Sequence, residues 1–194
     1  AGILIADVSG HGVGAALIGS MLKIAFSSQA HNVSDPAKVL SEINRILQGK
    51  LESSFVTACT VFIDMEKNNL VYARAGHPPA ILWRSSTQEL VQLTNGNTIL
   101  GPFPNVNYEN TVLDISTNDR LVLYTDGIIE TSLKSGELFG IHRFESLLRE
   151  SLTHSPERTA DLIVDRVTEW SGNSGKTSLD DDLTLVIIDL VSGE

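Results

Sequence analysis

The sequence predicts an α+β fold built on antiparallel sheets, and three observations carry that prediction. Helical and strand periodicities come in blocks instead of strict alternation, which disfavours a doubly wound parallel sheet. The middle of the chain holds at least six short apolar or period-two runs separated by turn residues. Helical spacing then brackets that strand-rich middle on both sides.

In chain order, Ile3 to Val8 reads as a buried strand. From Gly14 onward "GAALIGSMLKIAFSSQ" has helical apolar spacing at Leu17, Met21, Leu22 and Ile24. In "SDPAKVLSEINRILQGK", Asp35 is placed as an N-cap and Pro36 at the first helical position. Val39, Leu40, Ile43, Ile46 and Leu47 form the apolar face of this second helix, and Gly49 stops it. The strand runs follow: "VTACTVFIDM", a turn at "EKNN", "LVYARA", "AILWR", "ELVQL", "YENTVLDI" and "RLVLYTD". Helices return at "IHRFESLLRESL" and at "SPERTADLIVDRVTEWS", where Ser155 and Pro156 supply the start signal. A flexible "GNSGKTS" and a last strand, "LTLVIIDL", complete the pattern. There is no internal repeat or convincing linker, so residues 1–194 are expected to form one domain.

A chain of 194 residues can bury a sizeable core. Its net charge of −10 disfavours nucleic acid or an anionic membrane as the main partner. No apolar run approaches the roughly 20 residues needed to span a bilayer, and nothing resembles a signal peptide. The single cysteine, Cys59, lies in the apolar run "TACTVFI" and reads as a small buried hydrophobe. A reducing compartment, the cytoplasm, is therefore expected.

The stretch "DVSGHGVGAA" admits two readings. Gly10, Gly12 and Ala15 fit G-x-G-x-x-A after a strand, the pattern of a dinucleotide loop. That reading needs a second strand ending in an acidic residue about 20 residues on. Asp35 has nearly this spacing, but it precedes Pro36 and starts a helix. Asp7 would also set a carboxylate beside the pyrophosphate. The other reading makes Asp7 a metal ligand.

Asp126 shares the grammar of Asp7: in "RLVLYTDG" an apolar strand runs into a carboxylate and a tight turn. Asp180, Asp181 and Asp182 immediately precede the last strand. Each aspartate alone could be a turn or cap residue. If they converged without a cation, each pair of charges at about 4 Å would cost on the order of 4 kcal/mol at an effective dielectric of 20. Oxygen-only ligands at strand ends suit Mg²⁺ or Mn²⁺, and there is no His/Cys set with zinc spacing.

Taken together, "ADVSGHGVGAAL", "ARAGHPPAILW", "LGPF", "LVLYTDGIIE" with its downstream "ELFG", and "DDDLTLVIIDL" resemble the motifs of the PPM-type, or type 2C-like, protein serine/threonine phosphatases. The resemblance is strongest to the bacterial branch of stress-response and sporulation regulators typified by stage II sporulation protein E. It implies two stacked antiparallel sheets flanked by helices, an αββα sandwich. It also implies hydrolysis of phosphoserine or phosphothreonine at a centre of two Mn²⁺ or Mg²⁺ ions, by a metal-activated water and with no covalent phospho-enzyme. Asp7 matches the carboxylate that bridges both metals, and the carbonyl of Val8 the backbone ligand beside it. Asp126 matches the ligand of the Asp-Gly motif. In the last motif the family's spacing selects Asp181, with Asp182 adjacent.

The resemblance implies a regulatory phosphoprotein substrate, typically an anti-sigma-factor antagonist, and a sensory or receiver domain upstream in the parent protein. The family normally carries a Gly-Asp motif on a strand before the one that begins here at Ile3. The chain is thus expected to lack its N-terminal strand or strands and part of the second metal site. His11, as a general acid, and His77 of "AGHPP", as a catalytic residue, are weaker candidates: loop shaping or capping competes for the first, and Pro78 and Pro79 point to loop rigidity for the second. Asp64 and Asp114 also end strands and read as turn residues. The rival function is a catalytically impaired phosphatase-fold module that binds a regulatory partner.

Overall fold

The computed structural model describes residues 1–172 and 182–191. Its contacts divide into two compact units, one containing Ala1–Pro79 and Leu93–Thr117, the other Ala80–Gln92 and Asn118–Val191. Each unit is a four-stranded antiparallel sheet with its own helices.

In the first unit, β1 (Gly2–Val8), β2 (Val56–Asp64), β3 (Asn69–Ala75) and β6 (Thr111–Asp114) lie in the order β1-β2-β3-β6. Helix α1 (Val13–Ser28) and, after a short 3₁₀ turn, helix α2 (Pro36–Leu47) separate β1 from β2. Asp35 caps α2 as its sequence predicts, accepting a hydrogen bond from the Lys38 amide at 3.2 Å. Val39, Leu40, Ile43 and Leu47 of α2 are fully buried, in one cluster with Val56, Ala58, Ala73 and Ala75 of the sheet. The three alanines leave room for four large side chains. Each of those contributes roughly 1.5–3 kcal/mol through burial.

Helix α1 departs from its expected face. Ile18, Leu22 and Ala25 are its buried residues, whereas Leu17 and Ile24 are exposed. The cause is composition: α1 is apolar nearly all round, so spacing alone does not mark the side that packs.

The motif "LGPF" is a clamp in this unit. The buried Asn44 side chain of α2 accepts from the Gly101 amide at 2.8 Å and donates to the Phe103 carbonyl at 2.9 Å. Gly101 has φ +107°, and a Cβ there would lie 2.3 Å from Leu51 Cδ1. Leu100 in turn exchanges backbone hydrogen bonds with Val56, securing the start of β2.

In the second unit, β4 (Ile81–Arg84), β5 (Glu89–Gln92), β7 (Arg120–Tyr124) and β8 (Leu185–Asp189) run in the order β5-β4-β7-β8. Helices α3 (Gly127–Glu130), α4 (Gly140–Glu150) and α5 (Pro156–Trp170) follow β7. The ring centroids of Tyr124 and Phe144 are 4.7 Å apart, in a core with Ile128, Leu148, Ile163 and Val167. Arg120, 6% exposed, binds both carboxylate oxygens of Asp189 at 2.5 and 3.0 Å. It also donates to the His154 carbonyl at 2.8 Å and to Thr159 Oγ1 at 3.1 Å, tying the α4–α5 turn to the sheet.

Ser155 caps α5 and Pro156 opens it, as expected. The strand assigned from "YENTVLDI" is reduced to four residues, and α3 is a short helix where only a tight turn is predicted. Among the described residues, no helix is long and apolar enough to cross a membrane.

Candidate metal centre

The topology after Asp7 decides between the two readings of "DVSGHGVGAA". A dinucleotide loop requires a parallel β-α-β unit. Here β1 is followed by two helices and pairs antiparallel with β2. Gly10 and Gly12 have φ +92° and +84°, and nothing lies within 4 Å of a Cβ built on either. These glycines therefore serve the backbone conformation of a strand-to-helix turn, not the close approach of a ligand. His11 is exposed between them.

The β1–β2 register fixes where the donors of this segment point. Ile63 donates to the Ala1 carbonyl at 2.8 Å and Ser9 to the Phe55 carbonyl at 2.9 Å. The odd-numbered residues of β1 are therefore its hydrogen-bonded positions, Asp7 opposite Thr57 among them. Val8 falls in a non-hydrogen-bonded pair with Val56. Since β1 is the edge of its sheet, the Val8 carbonyl faces away from β2, toward the open edge.

Side chains alternate across the same strand. Leu4, Ala6 and Val8 pack into the core that holds α1 and α2. Asp7, with Ile3 and Ile5, lies on the opposite face of the sheet. A carboxylate and a backbone carbonyl thus sit one residue apart at the end of an edge strand.

In the second unit, β7 is buried along its whole length and delivers Thr125 and Asp126 at its end. Thr125 donates from its amide to the Thr184 carbonyl at 3.0 Å and from Oγ1 to the Asp182 carbonyl at 3.3 Å. Its Oγ1 also accepts from the Thr184 amide at 3.0 Å. Gly127 completes the brace: a Cβ there would lie 2.5 Å from the Asp182 carbonyl oxygen. The spacing of "TDG" therefore seats the turn against the segment that leads into β8, and Asp126 and Asp182 are brought into one neighbourhood.

Asp126 occupies the N-cap position of α3, yet its side chain makes no capping hydrogen bond. Its backbone carbonyl accepts from the Glu130 amide at 2.8 Å instead. The turn or cap role open to this residue on sequence grounds is therefore not the one its carboxylate plays. Asp182 is exposed, and Asp181 lies outside the described residues. Downstream, "ELFG" closes the turn beneath Asp126: Phe139 donates to the Thr131 carbonyl at 2.8 Å, and Thr131 Oγ1 donates to the Gly127 carbonyl at 2.6 Å.

The donor chemistry fits a hard divalent cation. Asp7 and the outward carbonyl of Val8 in the first unit, and Asp126 in the second, each offer oxygen donors of the kind Mg²⁺ and Mn²⁺ prefer. Among the described residues, no three His, Cys, Asp or Glu side chains are gathered into one metal-binding group. Cys59 is buried and its thiol is pushed up to about 12 by desolvation, which removes it as a nucleophile.

Sequence reasoning missed Thr57, Thr125 and the packing role of Gly127. A hydroxyl next to a strand-end aspartate carries no distinct signal, whereas the Gly after Asp126 did, as part of the motif.

Of the other two strand-end aspartates, Asp64 is a turn residue, as predicted. Asp64 accepts from the Lys67 amide at 3.1 Å and pairs with its ammonium at 3.1 Å. Asp114 ends β6, opposite Asn69 at the start of β3.

A family model described as stage II sporulation protein E (SpoIIE) matches residues 1–191. The phosphoserine phosphatase RsbP of Bacillus subtilis (strain 168) is 31% identical over 196 residues, covering 97% of this chain and 45% of that protein. The chain thus spans less than half the length of this curated relative. The solved SiaA-PP2C domain of Pseudomonas aeruginosa superposes with a TM-score of 0.84 at 23% identity, over 97% of this chain and 75% of that one. The catalytic domain of the serine/threonine protein phosphatase PstP, solved with two manganese ions, gives a TM-score of 0.71 at 16% identity, over 98% and 88%. Two antiparallel four-stranded sheets with flanking helices are therefore the fold of the PP2C phosphatases.

Proposed function

The chain belongs to the stage II sporulation protein E (SpoIIE) family, and we propose that it is a metal-dependent protein serine/threonine phosphatase. Its substrate is a phosphoserine or phosphothreonine on a regulatory protein, an anti-sigma-factor antagonist, in bacterial signal transduction in the cytoplasm. The observation that carries the reading is Asp126: a strand-end carboxylate whose two chain neighbours, Thr125 and Gly127, both lie against the Asp182–Thr184 segment, and which is not engaged in capping its own helix. The relative at 31% identity bears the name phosphoserine phosphatase.

Asp7, the Val8 carbonyl, Asp126 and Asp181, with Asp182 adjacent, are the groups that would hold Mn²⁺ or Mg²⁺. Such cations, when bound, make water a nucleophile at neutral pH and offset the charge of the transferred phosphoryl group. The protein's part is to hold the carboxylates before the substrate arrives, so that no reorganisation is needed during reaction. Asp126 is fixed through the buried strand β7, and Asp7 through its place opposite Thr57. Nothing in the described residues favours the catalytically impaired module.

The test is Mn²⁺-dependent release of phosphate from a phosphoserine peptide. Asp126→Asn keeps the shape of the side chain and removes its charge. Turnover should fall more than about 100-fold, beyond the 10–100-fold typical of residues that only support a ligand. Wild-type turnover in that variant, or none at any Mn²⁺ concentration in the full-length parent protein, would defeat the proposal.

A further inference from the structure

The histidine of "AGHPP" is not a surface loop residue. His77 is 1% exposed, and its Nδ1 lies 2.8 Å from Thr57 Oγ1. Thr57 is the residue of β2 directly opposite Asp7 of β1. Side chains of directly opposed residues share a face of the sheet, with Cβ atoms about 4.5–5.5 Å apart. The imidazole, the hydroxyl and the carboxylate therefore form a row on the face turned away from α1 and α2.

The chain is bent to produce this row. Gly76 has φ +66°, and a Cβ there would lie 2.4 Å from the Ile99 side chain, so the position accepts only glycine. Its amide donates to the Asn97 carbonyl at 2.9 Å, and it forms a bridge with Ala58, the neighbour of Thr57. Arg74 donates to the His77 carbonyl at 2.6 Å. Pro78 and Pro79 then fix two further φ angles. These constraints hold one side chain, His77, against one hydroxyl.

We propose that His77 is a positioning residue for Asp7, acting through Thr57; the inference rests on the reading of Asp7 as a cation ligand. A threonine hydroxyl has one hydrogen to give and two lone pairs to receive. With the proton of the neutral imidazole on Nδ1, His77 donates to Thr57 Oγ1, and the hydroxyl hydrogen is left for the opposite carboxylate. The Asp7 carboxylate is thereby oriented by the hydroxyl across the strand pair. Partners of this kind behind a ligand are typically worth 10–100-fold in metal affinity or activity.

The experiment is Mn²⁺ titration calorimetry on the purified protein and its variants, with the metal-free melting temperature followed by circular dichroism. Thr57→Val and His77→Ala should each weaken Mn²⁺ binding about 10–100-fold. The double variant should lose no more than the worse single one, because the two groups act in series. Thr57→Ser should retain the affinity, and so should His77→Asn, whose amide nitrogen can donate from near the Nδ1 position. His77→Gln, which presents its amide near Nε2, should not.

If His77→Ala does not fold, the Asn and Gln variants and Thr57→Val still decide. Wild-type Mn²⁺ affinity in Thr57→Val, with affinity lost in Asp7→Asn, overturns the relay and leaves the metal reading standing. Wild-type affinity in Asp7→Asn overturns both.

Discussion

Asp7 and Asp126 both follow an apolar strand, yet the two are held by different means. Asp126 stands at the end of a strand buried on every residue, between Thr125, which makes three hydrogen bonds to the segment before β8, and Gly127, which that segment touches. Asp7 stands on an edge strand, before a turn in which Gly10 and Gly12 meet no neighbour. The anchor of that turn is Ser9, which donates to the Phe55 carbonyl and accepts from the Phe55 amide at 2.8 Å. One carboxylate is thus fixed by packing. The other is fixed by a hydrogen-bonded register and by backbone dihedral angles.

The largest expected loss comes from breaking the packed side. Gly127→Ala would drive a methyl group against a backbone carbonyl, which cannot move aside as a flexible side chain can. We expect a destabilisation of about 3 kcal/mol, the upper end of the overpacking range, measurable by urea denaturation. Phosphate release should fall with it, because the displaced segment carries Asp182. Thr125→Val comes next: it preserves shape but leaves the Thr184 amide and the Asp182 carbonyl without their hydroxyl partner. A loss of about 2 kcal/mol is expected in the same assay.

On the Asp7 side the matching substitution should be milder. Gly12 has φ +84° and ψ −158°, a region that is nearly exclusive to glycine, but its surroundings are open. Gly12→Ala should cost about 1–2 kcal/mol from backbone strain alone. A loss as large as that of Gly127→Ala would show that the turn after Asp7 is packed and would erase the contrast between the two sites.

This contrast also explains what the sequence could and could not reveal. Strands and amphipathic helices with strong caps were legible, as at Asp35, Pro36 and Ser155, because cap chemistry and periodicity are local. The buried face of α1 was not, because Leu17, Ile18, Leu22 and Ile24 are equally apolar and the sheet chooses among them. Asp7 and Asp126 were legible through the strand-turn grammar that surrounds them. Thr57 and His77 were not legible as a pair, because their contact spans 20 positions and depends on the turn at Gly76. The choice among Asp180, Asp181 and Asp182 rested on motif register. Only Asp182 of the three falls within the described residues.

Asp64 provides the control for both sites, since it too ends a strand but serves only its turn. Its carboxyl is held below the usual range first by the hydrogen bond from the Lys67 ammonium, then by the Lys67 amide. A carboxylate whose pKa is lowered by folding adds stability above its unfolded value, roughly pH 4, and that stability is lost as pH falls through the lower folded value. Asp64→Asn keeps an acceptor for the amide and removes the charge. It should therefore be slightly less stable than the parent at pH 7 and equal to it well below pH 4, in urea denaturation at the two pH values. Screening by solvent keeps the difference small, because the residue's partner is exposed and salt weakens such pairs. Phosphate release should not change, because the charge of Asp64 is answered by Lys67 and is needed for no cation. A pH-independent difference would mean that the turn depends on shape and not on charge. A drop in turnover at unchanged stability would extend the role of Asp7 and Asp126 to a third strand end, and the distinction between ligand and turn aspartates would have to be redrawn.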